Sequence, residues 1–147
     1  MNGLSYWDGL KKLNLYSLER RRERYTILYV YKIYRGIAPN FESERWTIKT
    51  KYSERRGLHC ELPSICTSAT ARVKTMVEQS FAVRGPRLFN SIPLSLRTGS
   101  LTFDSFKRHL DVYLSKVDDE PSLPNYPSRW SSNSLLDRRD VRSSNIY

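Results

Sequence analysis

Hydrophobic periodicity between residues 18 and 35 predicts an amphipathic helix. Apolar side chains recur there at three- and seven-residue spacings, Ser17 is suited to cap the first turn, and Gly36 follows the last turn. We therefore predict a helix over Leu18–Arg35. Upstream, four apolar residues at three-residue spacing predict a short helix that would form an αα-hairpin with it: Leu4, Trp7, Leu10 and Leu13.

A second amphipathic pattern follows Thr102, which is suited to cap a helix over Phe103–Leu114. Between the two long helices, a proline that is tolerated in a first helical turn predicts a short helix over Pro86–Ser91, ended ahead of Pro93. Four apolar side chains of this middle segment are expected to fill the groove between the long helices: Phe81, Leu88, Phe89 and Ile92.

Two stretches predict a small β component. Residues Trp46–Tyr52 alternate apolar with polar side chains, as a half-buried strand does, and Ala71–Met76 is a second candidate strand. The predicted fold class is therefore mainly α with a minor β hairpin (α+β). The helical part consists of the αα-hairpin and the C-terminal amphipathic helix.

The end of the chain differs in composition from the rest. After residue 116 the sequence turns acidic, and then becomes rich in Ser, Pro and Asn with few aliphatic residues, which is typical of disorder. We predict a basic, helix-rich module over residues 1–116 and a disordered tail over residues 117–147.

The net charge of the chain indicates which classes of partner it could bind. The 147 residues contain 25 Lys and Arg against 15 Asp and Glu, a formal net charge of +10. Such an excess favours polyanionic partners such as RNA, DNA or an anionic membrane surface, and charge alone does not choose among them. We expect an RNA or DNA backbone rather than a membrane, because the apolar face of the tyrosine-rich helix is not sharply divided from its charged face. The longest apolar run, Tyr25–Tyr31, is far shorter than the roughly 20 residues of a spanning helix. No secretory signal is recognisable, so the expected location is intracellular, nuclear or cytoplasmic.

Candidate metal and catalytic residues are few. His59, Cys60 and Cys66 could supply zinc ligands, but the sequence has no Cys-x-x-Cys pair, and the alternative is that the cysteines are small buried hydrophobes. Adjacent aspartates, Asp118 and Asp119, hold magnesium in many nucleotidyl transferases when they lie in a hairpin turn. Here the pair follows a helix and enters a proline-containing tail, which favours a solvated acidic helix exit.

No other catalytic set can be assembled from the sequence. The two histidines are too few and poorly placed to serve a nucleophile, and the six glycines are scattered singly, without a phosphate-binding loop. We expect no enzymatic activity, no metal and no cofactor.

Arginine side chains crowd the first half of the helix over residues 18–35, and guanidinium groups pair bidentately with phosphate. The candidate nucleic-acid contacts are Arg20, Arg21, Arg22, Arg24, Lys32 and Arg35. The alternative is a solvated helix face on which Glu19 and Glu23 pair locally with the arginines. The tyrosines of this helix either stack on bases or bury their rings in the core; they are Tyr25, Tyr29, Tyr31 and Tyr34.

Three segments resemble, in order and spacing, blocks of non-LTR (LINE-type) retrotransposon polyproteins on the C-terminal side of their reverse transcriptase domain. They are Leu13-Asn14-Leu15-Tyr16-Ser17-Leu18-Glu19-Arg20-Arg21-Arg22 running into residues 30–36, the segment 80–93, and the segment 100–110. In that family the second block usually has Trp where Phe89 stands and Leu where Ile92 stands. The first of these substitutions leaves a packing role intact. The resemblance extends over residues 10–114.

The resemblance implies a C-terminal fragment or relict of a reverse transcriptase (RNA-directed DNA polymerase). Its small helical region is expected to pack beyond the thumb of an upstream polymerase domain and to help hold template RNA or target DNA. The polymerase aspartates and endonuclease residues of the family match no position here. A start at Met1 is expected to reflect a truncated insertion, a gene-model fragment or a domesticated remnant.

One alternative from another class is kept open. The chain could be a protein-interaction module with no nucleic-acid role, whose charge serves solubility or an acidic partner. The sequence decides neither the oligomeric state nor the preference between RNA and DNA.

Overall fold

The computed structural model describes residues 3, 5–43, 46–62, 70–119 and 134–136. Within these ranges the chain forms five α-helices and one two-stranded antiparallel sheet, which confirms the predicted fold class. No helix in these ranges is long and apolar enough to cross a membrane. In chain order the elements are α1 (Tyr6–Leu13), α2 (Leu18–Tyr34), β1 (Thr50–Ser53), β2 (Gly57–Cys60), α3 (Ala71–Gln79), α4 (Phe81–Ser91), a 3-10 turn (Leu94–Leu96) and α5 (Phe103–Lys116).

The two helices with the clearest hydrophobic periodicity are confirmed, together with their caps. α2 begins after Ser17, whose Oγ accepts a hydrogen bond from the backbone N of Arg20 at 3.1 Å. α5 begins after Thr102, whose Oγ1 accepts from the backbone N of Ser105 at 3.3 Å. Each cap satisfies a backbone donor that the first helical turn leaves without a partner. The short upstream helix is also present as α1, but none of its residues is buried.

The core is organised around Tyr31 of α2. Its ring stacks on Phe106 of α5, with the ring centroids 3.9 Å apart, and its centroid lies 6.5 Å from that of Phe89 in α4. All three rings are fully buried. The Tyr31 hydroxyl donates to the backbone oxygen of Leu101, so the one polar group in this stack has a partner. The predicted filling of the groove is confirmed by the burial of Leu88, Phe89 and Ile92, with Phe81 partly buried beside them.

The helix predicted over Pro86–Ser91 begins earlier, at Phe81, so the predicted start is wrong. Pro86 lies in the helix interior, where it removes a backbone donor, but the preceding turn buries Ala82 and Val83 and this burial stabilises the longer helix. Gly85 lies where α4 approaches α2, because a Cβ at this position would be 3.1 Å from Cγ2 of Val30. The glycine therefore permits close packing of the two helices.

The strand predicted over Trp46–Tyr52 begins only at Thr50, the first residue of β1. Before that point the side-chain amide of Asn40 forms hydrogen bonds with both the backbone N–H and the backbone C=O of Ile48. Its Oδ1 accepts from the Ile48 N at 3.0 Å, and its Nδ2 donates to the Ile48 O at 2.9 Å. This amide pairs with backbone groups that a longer strand would offer to a neighbouring strand.

The outer edge of β2 is satisfied by groups from α4 and from the segment that follows it. The backbone N of Leu58 donates to the backbone O of Arg97 at 2.6 Å, and Nη1 of Arg97 donates to the Leu58 O at 3.4 Å. Asn90 of α4 binds both backbone groups of Cys60, accepting from its N at 2.8 Å and donating to its O at 2.9 Å. The hairpin is thereby fixed to α4 at Cys60 and to the segment after α4 at Leu58.

The candidate strand over Ala71–Met76 is wrong, because these residues form the first part of α3. Thr70 caps this helix: its Oγ1 accepts from the backbone N of Val73 at 3.4 Å. Six residues are too few to distinguish the two-residue period of a strand from the period of a helix. The N-cap residue Thr70 was the signal in the sequence that favours the helix. No residue of α3 is buried.

The predicted disordered tail lies mostly outside the described residues. Two of its described parts belong to the folded unit. Asp119, just after α5, accepts a hydrogen bond from Ser17 Oγ at 2.7 Å. Ser134 and Leu135 are only 2% and 6% exposed, and both donate hydrogen bonds to Glu23 of α2. At these positions the structure differs from the prediction, while the boundary at residue 116 stays a prediction.

Replacing Phe89 with Ala tests the core. The change removes a fully buried ring between α2 and α5 and leaves a cavity, so we expect a loss of about 3–5 kcal/mol in the free energy of unfolding. Urea denaturation followed by circular dichroism measures it. Phe41→Ala, at a ring that is 42% exposed, is the matched control and should cost less than about 1 kcal/mol. Equal stabilities for the two variants would contradict this core.

Candidate nucleic-acid interface

One face of α2 is open to solvent and combines cationic with aromatic side chains. At 100° per residue its positions fall within an arc of about 100° on the helix. Arginine binds phosphate and an exposed tyrosine ring can stack on a base, so this face has the composition of a nucleic-acid contact surface. We call it the α2 face; it consists of Arg21, Arg22, Tyr25, Tyr29 and Lys32.

Arg20 does not belong to the α2 face, because its side chain is completely buried. Its Nε lies 3.5 Å from Oδ1 of Asp119, its Nη2 donates to the backbone O of Asp118 at 3.3 Å, and its Nη1 lies 3.8 Å from Oε2 of Glu23. The inclusion of Arg20 among the candidate phosphate contacts is therefore corrected. The charge of this guanidinium is compensated inside the protein, where a phosphate cannot reach it.

Arg24 is also held internally. Its Nε and Nη2 bind the two carboxylate oxygens of Asp111 on α5 at 2.6 and 3.1 Å, and its side chain is 14% exposed. The hydrogen bond to Asp111 raises the pKa of Arg24. A bidentate pair of this kind occupies the same donors that would bind a phosphate. Arg24 is thus a second correction to the predicted set: it links α2 to α5.

Glu23 is the buried partner of several groups from other parts of the chain. Its Oε1 accepts from Ser134 Oγ, from the backbone N of Leu135 at 3.1 Å, and from Nη2 of Arg84 at 3.4 Å. Burial raises the pKa of Glu23 despite the opposing effect of these donors and of Arg20. The predicted local pairing of a glutamate with the arginines is therefore present for Glu23, but in the interior rather than on a solvated face.

The other four predicted contacts lie at the surface. Arg21 and Arg22 are exposed in the first turns of α2, and Arg35 is exposed at its C-cap. Lys32 is partly buried, with its Nζ 5.0 Å from the ring centroid of Phe103, so it packs on α5 while keeping its charge near the surface. The structure thus separates the predicted cluster into two arginines that are paired with acidic groups of the protein, Arg20 and Arg24, and a surface set.

The tyrosines of α2 divide in the same way. Tyr31 is a core residue, and the hydroxyl of Tyr34 donates to the backbone O of Gly99 at 3.2 Å, which ties the end of α2 to the segment before α5. Tyr25 is 65% exposed, and Tyr29 is 39% exposed with an edge contact to Phe81. Two rings are therefore structural and two lie on the α2 face.

The residues considered for zinc are only partly described. Cys60 is a buried free thiol in the core, where burial raises its pKa to about 12, so it is held protonated, as a small hydrophobe is expected to be. His59 binds the Gly57 carbonyl oxygen through Nδ1 at 3.1 Å. Cys66 lies outside the described residues, and the residues that are described contain no group of three or more His, Cys, Asp and Glu that could hold a metal.

Of the two adjacent aspartates after α5, Asp119 forms hydrogen bonds that hold the fold together. Asp118 is exposed, whereas Asp119 is partly buried and accepts from both the backbone N and the Oγ of Ser17. A carboxylate at this position also faces the positive end of the α2 dipole. The interpretation as a merely solvated helix exit is therefore wrong for Asp119. The sequence could not reveal this contact, because the two residues are far apart along the chain.

A groove beside the α2 face was missed from the sequence. It has a volume of about 730 Å³ and lies between α1, the first half of α2 and the end of α5. Its lining includes Trp7, Lys11, Arg21, Tyr25 and Lys116. Hydrophobic spacing had identified Trp7 only as part of the apolar stripe of α1. No local signal in the sequence indicates the groove, because its lining comes from three separate helices.

Comparisons with known proteins give no further assignment. No protein-family model, no curated protein and no solved structure matches this chain.

Replacing Glu23 with Gln tests the buried carboxylate. Because the folded pKa is raised, the native state binds more protons than the unfolded state at pH values just above 4.5, so this group lowers stability as pH rises through that range. We expect the stability of the wild type to fall relative to Glu23→Gln as pH increases from about 4.5, the unperturbed value of this group. Denaturation of both proteins across a pH series measures the difference. Glu78→Gln, at an exposed site on α3, is the matched control for the loss of one carboxylate.

Proposed function

We propose that this chain is a non-catalytic module that binds RNA or DNA through phosphate contacts on the α2 face, and that it derives from the C-terminal region of a non-LTR retrotransposon reverse transcriptase. The observation that carries the binding proposal is the selective pairing of arginines. Asp119, Glu23 and Asp111 compensate Arg20 and Arg24, while Arg21 and Arg22 point outward on the same helix.

The proposed origin rests on the three sequence blocks. In the structure the residues of the second block have packing and hydrogen-bonding roles. Phe89 fills the core, Gly85 permits close packing of α4 on α2, and Asn90 binds the backbone of Cys60. Reading the transcript upstream of Met1 tests the origin, since a frame continuing into polymerase sequence would support it.

In this proposal the chain binds nucleic acid and does not catalyse a reaction. No position of the sequence matches the polymerase or endonuclease residues of the resembled family. The guanidinium groups of Arg21 and Arg22 are suited to backbone phosphates, which every nucleic acid presents, so binding should be insensitive to sequence and should weaken with salt.

A second candidate function is a protein-interaction module, and α3 is the observation that favours it. This helix buries none of its residues, and Val73 and Met76 are 46% and 67% exposed. Exposed apolar side chains on one short helix are compatible with a protein partner. In that case the positive charge would serve solubility, and no salt-dependent affinity for nucleic acid would be found.

Replacing Arg21 and Arg22 with Gln separates these functions. Each phosphate contact contributes about 0.7 to the slope of log affinity against log salt for a single strand, and about 0.9 for B-DNA. We therefore expect the double variant to bind RNA or DNA more weakly, with a slope that is shallower by roughly 1.4 to 1.8. Fluorescence anisotropy with labelled oligonucleotides over a salt series measures both quantities.

The matched control is Arg55→Gln together with Arg56→Gln, which removes the same charge from exposed arginines in the turn between β1 and β2. It should leave most of the wild-type slope in place. If both double variants reduce the slope equally, the binding follows net charge and the α2 face is not the contact. If the wild type shows no salt-dependent binding, the protein-interaction function is favoured instead.

A further inference from the structure

The groove beside the α2 face carries an inference that rests on the proposed nucleic-acid function and deepens it. A surface that contacts only the backbone of a duplex needs cations, whereas an unpaired nucleotide also offers the faces of its base. Tyr25, in the middle of the α2 face, is 65% exposed and also lines the groove. Trp7 of α1 lines the same groove. Two aromatic side chains are thus placed on one concave surface.

The charges around this groove favour an anion once internal pairs are taken into account. Asp111 is compensated by Arg24, and Asp119 by Arg20 and Ser17. Two further cationic residues line the groove: Arg21, which is exposed on the α2 face, and Lys116 in the last turn of α5. The Arg21 Nε donates to the backbone O of Tyr16 at 3.1 Å, which orients the guanidinium beside the groove.

The size of the groove also fits a nucleotide. At about 730 Å³ it lies within the range of roughly 300–1,000 Å³ that is usual for small-molecule sites. α1 forms one wall of the groove. Because no residue of α1 is buried, the indole ring of Trp7 is not fully buried in the core. The groove therefore combines an aromatic surface, a cationic rim and space for a planar group.

We propose that this groove receives an unpaired base of single-stranded RNA or DNA, stacked on Tyr25 and Trp7, while Arg21 contacts the adjacent phosphate. The protein then prefers single strands to a duplex, because paired bases are stacked within the helix and cannot enter the groove. Tyr25 and Trp7 supply stacking, and the cations supply the salt-dependent part of the affinity.

The test compares binding of a labelled single-stranded RNA, the DNA of the same sequence and the matched DNA duplex by the full chain at one fixed salt concentration. We expect tighter binding of the single strands. Stacking on an aromatic side chain predicts that Tyr25→Ala and Trp7→Ala each weaken single-strand binding by about 5- to 150-fold. In a separate salt series the slope of log affinity against log salt should be the same for both variants as for the wild type, because neither side chain carries a charge. Comparison of the RNA with the DNA shows which single strand is preferred.

Tyr52→Ala is the matched control, because this tyrosine on β1 is also 65% exposed but lies outside the groove. Its variant should bind as the wild type does, and thermal melts should show that all three variants are folded. Two results would contradict base binding in the groove but leave the proposed nucleic-acid function standing. One is salt-dependent binding with equal affinity for single strands and duplex, and the other is salt-dependent binding whose single-strand affinity is unchanged in Tyr25→Ala. Absence of any binding by the wild type would overturn both.

Discussion

Burial of Arg20 and Glu23 on α2 imposes the constraint on which the rest of the structure depends. A charge removed from water must be paired and hydrogen-bonded, and removing one partner of such a pair typically costs about 3–5 kcal/mol. Here the partners come from the residues after α5, from Arg84 of α4 and from residues 134–135. Segments that are distant in sequence must therefore meet around the first half of α2 before its two charges are compensated.

The same constraint decides which cations are left for a ligand. Helical geometry turns Arg20 and Arg24 toward the body of the protein and Arg21 and Arg22 away from it. The acidic partners therefore neutralise one side of the helix and leave the other side positive. Aromatic residues follow the same division, since Tyr31 stacks with Phe106 in the core while Tyr25 stays exposed. One helix thus contributes buried side chains to the core and presents an exposed cationic and aromatic face to solvent.

Local signals in the sequence were sufficient for part of this structure. Ser17 and Thr102 marked the starts of α2 and α5, and the apolar spacing placed Phe89 between them. Prediction failed where the deciding group is distant or the segment is short. Arg20 counted as a surface residue because Asp119, its partner, is 99 positions away, and six residues of α3 could not distinguish a helix from a strand. The groove forms only where α1, α2 and α5 meet, and the hydrophobic periodicity of one segment does not show which other segments it meets.

The covering of β2 by Asn90 and Arg97 has a consequence for how copies of this protein behave when they are crowded together. An open strand edge can pair with a strand of another chain and lead to sheet growth and aggregation. At Leu58 and Cys60 the outward backbone groups already have partners within the same molecule. Pairing of another chain with β2 is therefore blocked at these two positions, which removes one route to association between copies.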